Sequence, residues 1–182
     1  MATKAQAAGY GFRYEIDGLQ ELQTALLQLP KQLRRSVLTK ALTTAAQPTL
    51  ALARANVPDS GVAHKNKLRD TLHVSTKLNK NQRRGRGRLA DGVEVFIGST
   101  APHAHLVEFG TAERYRKSGG STGVMPAKPF LTQAWDATKG EALEILKLEL
   151  WREMVKAARR LARRAAKGTL SIRTMREMQR AA

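Results

Sequence analysis

Between Pro129 and Lys167 the sequence places Leu143, Leu146, Leu150, Met154, Ala157, Leu161 and Ala165 at steps of three and four, the signature of one long amphipathic helix. Such a helix is longer than a compact domain of 182 residues requires. Gly140 is expected to interrupt it early and Gly168 to stop it. Its other faces carry Lys147, Arg152, Lys156, Arg159, Arg160, Arg163, Arg164 and Lys167, and a short tail with Arg173, Arg176 and Arg180 repeats the basic character. From Trp151 onward there are ten basic residues against Glu153 and Glu177, so +8 of the chain's net +17 is concentrated there.

A charge of that size predicts contact with a polyanion or with an acidic protein surface. Cysteine is absent, which excludes disulfides, thiolate nucleophiles and thiolate metal sites. The opening MATKAQAAGYGF has no continuous apolar core of the length a secretory signal needs, and no run elsewhere approaches a membrane span, so a cytoplasmic site of synthesis and no membrane partner are expected.

Ahead of the long helix the pattern predicts a mixed α+β domain, with helices on a small antiparallel sheet, over residues 10–140. An extended or disordered tail over 1–9 precedes it, and a basic helical extension over 141–182 follows. Residues 10–16 alternate as a half-buried strand does. Leu19, Leu22, Leu26 and Leu29 then keep helical spacing up to Pro30. A second helix is expected from Lys31 to about Asn56, broken or kinked at Pro48. Leu68, Leu72 and Val74 lead into a strand or short helix, and Gly92 to Gly98 is the clearest strand. The apolar run Leu106 to Phe109 could add a third strand.

Two loops stand out. Residues 77–88, KLNKNQRRGRGR, hold six bases and no acid, including Arg83, Arg84, Arg86 and Arg88, and should be exposed because burying such charges unpaired is prohibitive. Residues 110–129 leave an ordered segment at Gly110, run through a polar Gly/Ser/basic arm and return through Pro126 and Pro129 onto Phe130 and Leu131.

Chemistry-bearing clusters are few. His103 and His105 would share a face on a strand, with Glu108 nearby, but no third and fourth metal ligands are apparent. The Gly-Arg-Gly-Arg of the basic loop lacks the context of a phosphate-binding loop, and Ser118 to Ser121 reads as linker. The chain is therefore read as non-enzymatic and without cofactor. Arg83, Arg84, Arg86, Arg88, Arg159, Arg160, Arg163 and Arg164 are the candidates for contact with DNA or an acidic surface. Aromatic interleaving of the kind that stacks single-stranded bases is missing.

Three groups of residues, in order, carry a family resemblance. The first is Ala45-Ala46-Gln47-Pro48 ahead of Ala53-Arg54-Ala55-Asn56-Val57-Pro58, and the second is Gly61 followed by Leu68-Arg69-Asp70-Thr71-Leu72. The third is Val95-Phe96-Ile97-Gly98, then Leu106-Val107-Glu108-Phe109-Gly110-Thr111, then Pro126-Ala127-Lys128-Pro129-Phe130-Leu131. Across roughly Leu19 to Lys139 the chain resembles the tail-completion, or head–tail joining, neck proteins of long-tailed, lambda-like bacteriophages. The resemblance implies a structural virion subunit of α+β fold, working as a ring around the DNA conduit, with a hexamer favoured. Tail terminator or tube and head–tail connector proteins would be its neighbours, with non-specific contact to genomic DNA. It makes Glu108, Phe109, Gly110, Thr111, Pro129, Phe130 and Leu131 the candidate subunit or partner interface. The alternative from charge alone is a basic nucleic-acid-binding protein, which would bind naked duplex with steep salt dependence.

Overall fold

The computed structural model describes residues 19–58, 67–78 and 92–181. In chain order the elements are α1 (Leu19–Leu27), α2 (Lys31–Ala45), α3 (Gln47–Asn56), α4 (Leu68–Thr71), β1 (Leu72–Ser75), β2 (Phe96–Ser99), α5 (Ala104–Phe109), α6 (Phe130–Ala166) and α7 (Ile172–Ala181). The fold is α+β, mostly helical, with one small antiparallel sheet and a 37-residue α6 as its spine.

Proline sets the first two boundaries. Pro30 separates α1 from α2, and the Arg34 guanidinium donates back to the carbonyls of Leu27 and Leu29, satisfying acceptors at the end of α1. Pro48 breaks the next helix at Ala46. Without an N–H, and with a ring that would strike the Thr44 carbonyl, Pro48 cannot lie inside a helix, but it fits the first turn of a new one.

The helices α2 and α3 together run alongside α6, α3 against its first part and α2 against its second. Two apolar clusters result. Leu50, Ala53 and Val57 of α3 meet Leu72 of β1 and Phe130 and Ala134 of α6. Leu29 and Val37 meet Met154, Ala157 and Leu161. Between them the contact surfaces are small: Ala41, Ala45 and Ala142 are buried, which lets the backbones approach closely. Thr49 and Thr138 sit in this contact with hydroxyl oxygens 2.7 Å apart. Because Thr138 donates to the Ala134 carbonyl, its single proton is committed, and Thr49 must be the donor between the two.

β1 and β2 pair with Leu72 opposite Ser99 and Val74 opposite Ile97. Leu72 is buried, and Val74 and Ile97 pack beside it under α3, so the sheet's inner face completes the first cluster. Arg54 of α3 donates to the Leu72 carbonyl at 2.7 Å.

Four expectations change. Leu106 to Phe109 is not a third strand: Ala104–Phe109 is helical, and the inward residues are Val107 and the adjacent Glu108, an order that strand alternation cannot produce. The strand expected over 92–98 is shorter and starts later, running Phe96–Ser99. Gly140 leaves α6 continuous, since an exposed glycine costs a helix only about 1 kcal/mol, far less than the packing on either side supplies. The expected tail after Gly168 contains α7, following a turn in which Gly168 has φ +62°. The strand expected over 10–16, Gly61, and the basic loop beyond residue 78 lie outside the described residues.

Candidate functional site

Glu108 sits at the end of α5, facing the start of α6. Its carboxylate is buried and accepts three hydrogen bonds: from the Leu131 amide at 2.9 Å, the Thr132 amide at 2.8 Å and the Thr132 hydroxyl at 2.6 Å. No side chain of the N-cap residue, Pro129, caps α6, so Glu108 supplies from a distance what a capping residue ordinarily supplies locally. A carboxylate at that end also meets the positive pole of the helix. The next residue, Phe109, is 76% exposed.

Gly110 follows with φ +72°, and a Cβ there would lie 2.7 Å from both the Ala127 nitrogen and the Met125 oxygen. Only glycine tolerates both the conformation and the approach. The returning chain passes close because it is bonded there: the Thr111 amide donates to the Met125 carbonyl at 2.9 Å, and the Lys128 amide to the Val107 carbonyl at 2.8 Å. Glu-Phe-Gly-Thr and Pro-Phe-Leu therefore form one clasp, in which the carboxylate caps α6, glycine admits the returning strand and threonine pins it. Pro129 closes the return, and Phe130 is 3% exposed within the chain's own core rather than on an open face. Leu131 packs against the same cluster.

Beyond the clasp, residues 111–125 form an exposed antiparallel ribbon. Bridges at Thr111 with Met125 and at Tyr115 with Ser121 hold it, and a tight tip closes with the Arg116 amide donating to the Gly120 carbonyl. Tyr115 and Val124 are 67% and 65% exposed. These two side chains thus lack a place in the chain's own core, whereas Met125 at the ribbon's root is partly buried.

His103 and His105 flank the start of α5. Two residues along a helix is a turn of about 200°, so they do not share a face as they would on a strand. Among the described residues no group of His, Asp or Glu is arranged to hold a metal ion.

On α6, Lys139, Lys147, Arg152 and Lys156 each pair with the acid three residues earlier, and Lys40 of α2 joins Glu153 at 3.4 Å. The hydrogen bond from Lys156 holds the Glu153 carboxyl below the usual carboxylate range; burial opposes this, and the Lys40 charge assists it. After Lys156 the pattern stops. Arg159, Arg160, Arg163 and Arg164 are exposed, with no carboxylate within ion-pair distance among the described residues. Arg83, Arg84, Arg86 and Arg88 lie outside the described residues.

Residues 20–110 match the model of the HK97-gp10-like family, described as "Bacteriophage HK97-gp10, putative tail-component". The chain belongs to this family. Membership identifies it with bacteriophage tail components and so with a place in the virion. No curated protein and no solved structure matches it significantly. The family match runs from α1 through α5 and ends on Gly110, so it takes in the capping glutamate and the close-approach glycine. The arm, α6 and α7 come after it. No helix of the described residues is long and apolar enough to cross a membrane.

Proposed function

We propose that the chain is a non-enzymatic structural subunit that completes the tail or joins it to the head at the neck, as one member of a ring around the DNA conduit. Six copies, with tail terminator or tube proteins and the connector as neighbours, are the favoured arrangement. The observation that carries the reading is the clasped arm in a tail-component family member. Its base is fixed by Gly110 and Thr111 against Met125, while Phe109, Tyr115 and Val124 are presented to whatever lies beside the subunit. A segment with a rigid root and unsatisfied apolar side chains is what a ring subunit needs to reach its neighbour.

The test is a phage in which residues 113–123 are replaced by a short Gly/Ser turn that leaves the clasp intact. Heads and tails should both accumulate, unjoined, while the purified variant melts as the parent does. A normal yield of joined particles would refute the reading. The unpaired arginines of α6 favour a second reading, non-specific contact with duplex. It predicts binding of the purified monomer to naked DNA that weakens steeply as salt rises.

A further inference from the structure

The later part of α6 carries two apolar stripes. One, through Leu150, Met154, Ala157 and Leu161, is spent on α1 and α2. The other runs Leu148, Trp151, Val155, Ala158, Ala162 and Ala165, steps of three and four in strict alternation, the heptad spacing by which one helix seats another. It is largely open: Leu148 is 68% and Trp151 59% exposed, Ala158, Ala162 and Ala165 are exposed, and only Val155 is partly buried. From Trp151 to Ala165 it forms one wall of an open groove of about 750 Å³, with Ala25 and Leu29 on the α1 side.

On the side away from α1, at steps of about 100° per residue, the stripe is bordered by Arg159 and Arg163. Arg160 and Arg164 fall on a different side of the helix, so the four arginines do not make one face. A duplex backbone would satisfy the guanidiniums yet leave Leu148 and Trp151 against phosphates, where their burial gains nothing. A second copy would bring the same sign of charge, and α7 carries Arg173, Arg176 and Arg180.

We propose that this ledge seats an acidic amphipathic helix of another tail or neck protein, its apolar stripe along Leu148 to Ala165 and its carboxylates on Arg159 and Arg163. The inference rests on the virion reading above and names a partner for it. The ledge tapers, from Leu148 and Trp151 to three alanines. The partner helix therefore places its larger side chains against Ala158 to Ala165 and its smaller ones against Leu148 and Trp151. Arginine suits the border because its planar fork binds a carboxylate bidentately.

The test uses assembled particles in which photoreactive p-benzoylphenylalanine replaces Trp151 or, as a control on the opposite side of α6, the 44% exposed Trp135. After irradiation, position 151 should join to a peptide of a different virion protein whose sequence is amphipathic and net acidic; position 135 should not join to that peptide. A paired variant, Ala158→Glu with Ala162→Glu, should keep the parent's melting temperature and lower incorporation into tails by about tenfold, as expected when a central contact of a helix interface is lost. Adducts to DNA, adducts to a second copy of this chain, or no adduct at position 151 in particles that contain the chain would each overturn the ledge proposal and leave the virion reading standing. Particles that lack the chain would overturn both.

Discussion

The two ends of α6 belong to one continuous helix and are built on opposite principles. At its start, Phe130 and Ala134 are buried, Thr138 is bonded inside the core, and Glu108 reaches in from α5 to close the open amides. Through its middle every lysine and arginine up to Lys156 is matched by an acid one turn earlier. At its end, past Leu161, the side chains are exposed and the arginines unmatched. The difference separates the part of the helix that builds the core from the part that leaves its side chains open to solvent. Surface ion pairs contribute little stability, so the matched charges chiefly keep the first part neutral, and the unmatched ones leave the last part available to an anionic partner.

If that contrast is right, substitutions near the start of α6 should cost stability and those near its end should not. The largest effect is expected at Glu108→Ala. Leaving the Leu131 and Thr132 amides without their buried carboxylate should lower the unfolding free energy by about 3 kcal/mol in urea denaturation. A loss below about 1 kcal/mol would mean water caps the helix adequately, against the usual cost of an orphaned donor. Gly110→Ala should follow at about 2 kcal/mol, from the left-handed backbone and the collision with residues 125 and 127. Amide exchange at Thr111 and Lys128 should accelerate as the clasp opens.

Thr138→Val should cost about 1 kcal/mol, because the Thr49 hydroxyl loses its acceptor; adding Thr49→Val should recover part of the loss, which a double-mutant cycle would detect. The Glu153 effect is smaller and depends on pH. Its carboxyl is held below the usual range in the folded chain, so its contribution is present above the unfolded value and disappears as pH falls through the folded one. The parent's stability should therefore fall more steeply on the acid side than that of Glu153→Gln; parallel curves would show that Lys156 and Lys40 contribute nothing there. The joint change of Arg159, Arg160, Arg163 and Arg164 to Gln should leave stability within about 0.5 kcal/mol, the range of ordinary surface substitutions, while head–tail joining fails. Unfolding of that variant would erase the contrast.

Much of this fold was legible without coordinates because its signals are local. Pro30, Pro48 and Gly168 mark helix boundaries through restrictions on their own backbones, and the three-four spacing from Leu143 to Leu161 marks the helix that uses it. Glu-Phe-Gly-Thr stands out in the sequence as a unit. That Glu108 caps a helix beginning more than twenty residues later could not be read, because the arm between them hides the spacing and only the fold closes it. Phe109 and Phe130 look equivalent in the sequence, as apolar residues at the two ends of one loop. Packing sends one to solvent and the other into the core. The second stripe of α6 was also present in the sequence, yet an apolar position is a core position or a docking position only once its neighbours are known. Sequence alone determined where the chain turns, where the long helices run and where charge accumulates, since each depends on residues close together in the chain; the six residues of α5 carry too short a pattern to tell helix from strand. Tertiary structure alone decided which apolar face is covered and which carboxylate meets which amide, since those depend on what distant segments leave unoccupied.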